Sequence, residues 1–81
     1  MKIRLSEFFK DHQKTANHYA ESFLKKAFSE ENVLQSARFY GCAETYRAYM
    51  NIFEKLVKEY EKTEATIEVD DDFFLTYDFI D

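Results

Sequence analysis

The side chains of this 81-residue chain that could carry out chemistry are few. His18 and Glu21 form a His-x-x-Glu pair with a spacing of three residues. Helical di-metal carboxylate sites use the opposite order, Glu-x-x-His, in two copies and with further inward glutamates. Here the order is reversed, there is one copy, and the pair falls on the polar side of its helix. The sequence therefore predicts no metal site and no bound cofactor.

The other two candidates are His12 and Cys42. His12 falls on the apolar side of a predicted helix, which favours a histidine hydrogen-bonded within the core over a catalytic group. Cys42 lies beside an aromatic stripe, and we expect it to be a small buried side chain. The sequence contains no glycine-rich phosphate loop and no G-x-S-x-G, H-E-x-x-H or Cys-x-x-Cys motif. It therefore predicts a non-enzymatic protein with no catalytic residue.

The C-terminal segment 63–81 combines acidic and aromatic residues. It holds seven carboxylates and no lysine or arginine, whereas residues 1–62 hold eleven cations and nine acids. Aromatic rings could anchor such a segment on a basic protein surface while the carboxylates steer the encounter. The residues predicted to bind a partner belong to these two types: Asp70, Asp71, Asp72, Phe73, Phe74, Tyr77, Asp78 and Phe79.

A structural role for the same segment is the alternative. The rings would then cover part of the helices, and the acids would keep a small apolar protein in solution. Residues 66–69 are β-prone, and residues 73, 77 and 80 have helical spacing after an aspartate cap. The sequence leaves open whether this C-terminal element is a helix, a strand or irregular.

The longest pattern in the chain predicts the helix that organises it. Four aromatic residues recur every seven positions, and smaller apolar residues follow the first three of them four positions later: Phe39, Tyr46, Phe53, Tyr60, Ala43, Met50 and Val57. A helix with a single apolar seam has this spacing. The pattern predicts a helix over about 30–62, with Ser29 as its N-cap.

A shorter helix is predicted before it, over about 7–28, with Ser6 as its N-cap. Its apolar residues follow i, i+4, i+7 spacing: Leu5, Phe9, His12, Ala16, Tyr19, Phe23 and Ala27. The short connection makes the two helices antiparallel neighbours. At about 1.5 Å per residue the second helix would be roughly 17 Å longer, so we expect an overhang that another element must cover.

Composition supports an all-α fold: a long antiparallel helical hairpin over residues 1–62 followed by the acidic aromatic segment 63–81. The chain has one glycine and no proline, which argues against the many turns of an all-β protein. No apolar run reaches the roughly 18 residues of a membrane span, and Met1–Leu5 lacks the apolar core of a signal peptide. With a single thiol, the sequence favours a cytoplasmic protein without membrane contact.

A second stripe on the long helix predicts a homodimer. Leu34, Gly41 and Ala48 are seven residues apart, with Ile52 four beyond, and they lie opposite the aromatic seam. Glycine within a helix costs about 1 kcal/mol relative to alanine. Close approach of another backbone would explain it, and a locally suboptimal residue is the equal alternative. These four residues form the predicted dimer interface, with the C-terminal segment 63–81 as the alternative cover for the stripe.

Together these features favour a small acidic interaction or regulatory protein that binds another protein with a basic surface. An inhibitor that presents a nucleic-acid-like negative surface is one specific version, and the small size fits the products of mobile elements such as phages. Direct nucleic-acid binding is not predicted, because the surplus of two cations in residues 1–62 is small and segment 63–81 would repel phosphate. The competing class is a purely structural, self-assembling helical module.

Overall fold

The computed structural model describes residues 1–70 and 72. The chain begins with strand β1 (Lys2–Arg4), continues into helix α1 (Leu5–Ser29) and helix α2 (Val33–Tyr60), and ends in strand β2 (Thr66–Glu68). The two helices pack against each other as an antiparallel hairpin, which confirms the predicted all-α architecture. Besides the two helices, the structure contains the short antiparallel strand pair formed by β1 and β2.

The beginning of α1 differs from the prediction. The helix starts at Leu5, directly after β1, and Arg4 occupies the N-cap position without a side-chain capping bond. Ser6, predicted to be the N-cap, lies inside the first turn and is only 2% exposed. The predicted limits 7–28 were therefore short at both ends. Glu7 lies in the first turn and Lys26 in the last, where the helix dipole favours their charges.

The turn between the helices also corrects a predicted cap. Ser29 is the last residue of α1, and Asn32 is the N-cap of α2, because its side-chain oxygen accepts a hydrogen bond from the Gln35 amide at 3.0 Å. The Ser36 hydroxyl donates to the carbonyl of Ala27 at 2.6 Å. That carbonyl is among the last four of α1, which have no partner within the helix. Ser36, near the beginning of α2, thus caps the C-terminal end of α1.

The two helices are nearly equal in length, with 25 and 28 residues. The predicted second helix over 30–62 was too long at both ends, and the expected overhang of roughly 17 Å is therefore wrong. Glu61 and Lys62, which the prediction placed at the end of that helix, belong instead to the connection between α2 and β2. Neither helix of the described part combines the length and the apolarity that crossing a bilayer requires.

Aromatic rings join the helices along their whole length. Near the open end, Phe53 stacks on Phe9 with centroids 6.2 Å apart, and Tyr60 lies 5.7 Å from the same ring. Towards the turn, Tyr46 lies parallel to Phe23 at 5.9 Å. All four heptad rings of α2 contact rings of α1, which confirms the predicted seam: Phe9–Phe53, Phe9–Tyr60, Tyr19–Tyr46, Phe23–Tyr46 and Phe23–Phe39.

The core between the helices is thin. Within the described residues its buried apolar members are small side chains: Ala16, Ala20, Ala27, Ala43 and Val57. None of the described large side chains is fully enclosed, and the rings of the seam are half-buried. Two helices form a single interface, so one flank of every ring remains open to solvent. A core this small leaves a narrow stability margin.

Strands β1 and β2 pair in antiparallel register at the open end of the hairpin, where they link the beginning of α1 to the end of α2. Ile3 faces Ile67 across the pair, both side chains are half-buried, and the helix that the two strands contact is α1. The Leu5 amide donates to the Ala65 carbonyl at 2.8 Å, and the Val69 amide donates to the Met1 carbonyl at the same distance. The extended segment expected near residues 66–69 is therefore a strand. Its partner in the first residues of the chain was not predicted.

The Arg4 side chain caps the C-terminal end of α2. One terminal nitrogen of its guanidinium donates to the carbonyls of Glu61 at 3.0 Å and Thr63 at 3.1 Å. These carbonyls lie at and just beyond the helix end, where the dipole carries partial negative charge. A cation from β1 thus neutralises the end of α2 and orders the connection to β2.

We expect Arg4→Ala to lower the free energy of unfolding by about 1–2 kcal/mol, because two charge-assisted hydrogen bonds at a partly exposed site are lost. Urea denaturation followed by circular dichroism measures this change. Lys2→Ala is the matched control, since it removes a cation from the same strand without touching α2, and it should change stability by less than about 0.5 kcal/mol. Equal losses of unfolding free energy in the two variants would show that the hydrogen bonds from Arg4 to the end of α2 do not stabilise the fold.

Candidate functional site

A groove of about 510 Å³ lies between the first half of α1 and strand β2. One wall comes from the flank of α1, and the other from β2 and the residues that follow it. Its lining is an apolar floor with carboxylates around it: Phe8, Asp11, His12, Thr15, Ile67, Glu68, Val69, Asp70 and Asp72. Strand pairing with β1 holds β2 at this distance from α1, so the fold itself creates the groove.

The carboxylates differ in their surroundings. Asp11 is only 5% exposed, whereas Glu68, Asp70 and Asp72 are exposed at the rim. The Asp11 backbone carbonyl accepts a hydrogen bond from the Thr15 hydroxyl at 3.0 Å, which ties two lining residues together. The Glu68 carboxylate already pairs with the N-terminal ammonium of Met1 at 2.7 Å. Asp70 and Asp72 are therefore the exposed carboxylates that could receive a ligand with a cationic end and an aliphatic or aromatic stem.

His12 lies in the groove rather than deep in the core. Its ring is half-buried, 4.3 Å from the Phe8 ring and 5.4 Å from the Phe53 ring by centroid distance. Both neighbours are aromatic rings, so His12 lies on the apolar side of α1, but the expected burial within the core is wrong because one side of the ring faces the open groove. The ring forms a corner where the groove meets the aromatic seam.

His18, Glu21 and Cys42 are all exposed. The burial expected for Cys42 is wrong, because its position on α2 falls just outside the strip that α1 covers. No group of three or more His, Cys, Asp or Glu side chains in residues 1–70 and 72 could hold a metal ion. The His18–Glu21 pair lies beside Lys25 and Lys26 in a shallow polar depression.

The predicted partner-binding residues fall partly within the described chain. Asp70 and Asp72 line the groove as exposed carboxylates. The other members of that set lie outside the described residues: Asp71, Phe73, Phe74, Tyr77, Asp78 and Phe79. The structure thus connects the beginning of the acidic segment to the groove.

The predicted dimer residues lie on a second surface, the outer face of α2, which we define as Leu34, Ala37, Gly41, Thr45, Ala48 and Ile52. These residues fall within about 40° of Gly41 on the helical wheel, opposite the aromatic seam. All six are exposed, with Leu34 at 65% and Ile52 at 52%. A Cβ added to Gly41 would meet no atom within 4 Å, so nothing in the described part approaches its backbone closely.

Sequence reasoning missed most of the groove. Asp11 and Thr15 were not predicted as site residues, because they lie beside the apolar stripe of α1 and belong to no sequence motif. A charged residue bordering an apolar stripe, with an aromatic ring at i−3, was the available signal. The contribution of Glu68 depends on the pairing of β2 with β1, for which three-residue strands give almost no periodic pattern.

Comparison with protein-family models, with curated proteins and with solved structures finds no match to this chain. The candidate sites therefore rest on the geometry above.

Proposed function

We propose that this protein is a non-enzymatic interaction protein that binds a basic surface of another protein through the acidic groove and the segment that leaves it. The observation that carries the proposal is the pair of exposed carboxylates, Asp70 and Asp72, beside the apolar side chains of the groove. A lysine or arginine side chain combines an apolar stem with a cationic head, so it matches both parts of this lining.

The charge distribution supports the same proposal. Residues 63–81 carry seven acids without a cation, and their first carboxylates lie at the groove rim. A concentrated negative patch accelerates encounter with a positive surface and makes binding sensitive to salt. If the partner's basic surface binds nucleic acid, this protein would act as an inhibitor by occupying it.

An octa-arginine peptide carrying a fluorophore is a direct probe of the groove, with fluorescence anisotropy as the readout. We expect the full chain to bind it at low salt, and Asp70→Asn with Asp72→Asn to weaken binding about fivefold or more, because two rim carboxylates are lost. The matched control is Glu54→Gln with Glu59→Gln, which removes the same charge from exposed positions of α2. Equal weakening in both variants would contradict a localised site.

Self-assembly is the second candidate function, and the outer face of α2 is the observation that favours it. This face exposes two large apolar side chains, Leu34 and Ile52, on a helix that is covered on one side only. A two-helix core of this size also gains stability from a further packed layer. Sedimentation velocity of the full chain tests the candidate, and we expect a dimer at micromolar concentration. A monomer at about 100 µM would contradict it.

A further inference from the structure

We infer that a second copy of this chain covers the outer face of α2 in antiparallel orientation. The two-fold axis crosses this face at the level of Ala43 along the helix, although the Ala43 side chain itself points towards α1. This inference rests on the self-assembly proposed above and is independent of the acidic groove. Three features of the described residues point to this occupant: the symmetric placement of large and small side chains, the charges on the face, and an arginine and a tyrosine beside it.

The face is nearly symmetric about Ala43. Leu34 and Ile52, its two large apolar residues, lie nine residues before and nine residues after that position. An antiparallel copy therefore places Leu34 of one chain beside Ile52 of the other at both ends of the contact. The centre has only small side chains, Gly41 and Thr45, so the two backbones can approach closely there. A two-fold contact needs this self-complementarity.

Charges on the face favour the antiparallel orientation. Lys55 and Glu59 lie on the face itself, about 40° and 0° from Gly41 on the wheel, and both side chains are exposed. In antiparallel packing neither meets its own copy, because both lie more than ten residues from the level of the axis. Parallel packing would instead place Lys55 against Lys55 of the second copy and Glu59 against Glu59. It would also align the two helix dipoles unfavourably.

A pairing of arginine with tyrosine follows from the same axis. Arg38 and Tyr49 lie on the same side of the face, about 60° and 80° from Gly41 on the wheel. They are five and six residues from Ala43 in opposite directions, so antiparallel packing places each guanidinium beside a tyrosine ring of the second copy, a favourable contact. Glu44 would lie near Glu44 of the second copy in either orientation, so it does not distinguish between them. Its carboxylate is paired with the Arg47 guanidinium at 3.2 Å within the chain.

The first test asks whether this face forms the contact. We expect Leu34→Glu with Ile52→Glu to convert the full-length dimer to a monomer in sedimentation velocity without loss of helical circular dichroism, because both side chains are already exposed in the protomer. Tyr40→Glu is the matched control, an exposed apolar residue of α2 outside the face, and it should remain dimeric. A dimer that survives the double substitution would overturn the interface.

The second test determines orientation by charge substitution. Arg38→Glu and Tyr49→Lys should each raise the dimer dissociation constant about three- to tenfold, since the first loses the contact between cation and ring and the second places a cation beside Arg38 of the second copy. The combined variant pairs opposite charges between the copies and should return to the wild-type value. The two positions are about 16 Å apart along one protomer, so restoration requires contact between copies. Additive weakening in the combined variant would overturn the antiparallel pairing.

Spin labels give an independent distance. In a Cys42→Ser background, a label at Lys58→Cys should show a separation of about 45 Å between copies if packing is antiparallel, from the helical rise on both sides of the axis. A separation below about 25 Å would indicate parallel packing and overturn the inference, while leaving self-assembly intact. A monomeric wild-type chain would instead overturn self-assembly and this inference together.

Discussion

Replacing Tyr46 with alanine is expected to remove most of the stability of the hairpin. The Tyr46 ring contacts Tyr19 at 5.3 Å and Phe23 at 5.9 Å, both on α1, and Tyr49 at 6.1 Å on its own helix. It therefore connects the helices at the middle of the seam. Aromatic-to-alanine changes in cores cost about 3–5 kcal/mol, and for this half-buried ring we expect about 3 kcal/mol.

A loss of that size is large for a chain of 81 residues, whose total stability is of the order of 5 kcal/mol. Urea denaturation by circular dichroism, at one protein concentration for all variants, should show a transition shifted by roughly 2–3 M or absent. Tyr46→Phe keeps the ring and should lose less than about 1 kcal/mol. If Tyr46→Ala matches Tyr40→Ala, an exposed ring of the same helix, the seam does not hold the helices together.

Enlarging Ala43 is expected to have the second largest effect. Its side chain is 0% exposed, the most enclosed position in the described chain, and it faces α1 between the rings of Phe39 and Tyr46. Leucine at this position adds three carbon atoms where no space remains, so the helices must separate or the neighbouring rings must leave their rotamers. Overpacking of this kind costs about 1–3 kcal/mol.

Cys42→Leu is the control for this substitution, because the same residue is introduced one position earlier on the exposed side of α2. We expect it to change the free energy of unfolding by less than about 0.5 kcal/mol. Thermal unfolding by circular dichroism compares the two directly. A smaller loss at position 43 than at position 42 would show that α1 does not press against Ala43.

The two candidate surfaces lie on different sides of the hairpin. The groove uses the flank of α1 together with β2, whereas the outer face of α2 points away from α1. An antiparallel dimer through α2 would therefore leave both grooves accessible, one towards each end of the assembly. Two sites on one particle raise the effective affinity for a partner that also presents two basic surfaces.

Long-range periodicity made the helices predictable. Seven residues separate successive rings from Phe39 to Tyr60, and about six helical turns of that pattern outweigh any local irregularity. The capping residues were predicted less well: Ser29 and Asn32 both have the chemistry of an N-cap, and the position of the turn decides between them. The difference is three residues, about 4.5 Å of helix, and smaller errors at the other three helix ends added to the expected overhang.

The groove and the cap that Arg4 forms on α2 were beyond sequence reasoning for a physical reason. Both depend on β1 pairing with β2 across more than sixty residues of intervening chain, and a three-residue strand carries too little alternation to reveal its partner. The acidic character of segment 63–81 was evident from composition. Its connection to Asp11 and His12 became visible only when the strand pair located it.

The amino-acid order alone determined that two amphipathic helices would pair through aromatic rings, because ring spacing at the helical period leaves one apolar side that must be covered. Only the tertiary structure decided which residues lie beside that seam. It placed Asp11 and Asp70 on one groove, exposed Cys42, and joined Arg4 to the end of α2, since such contacts depend on where distant segments meet in space.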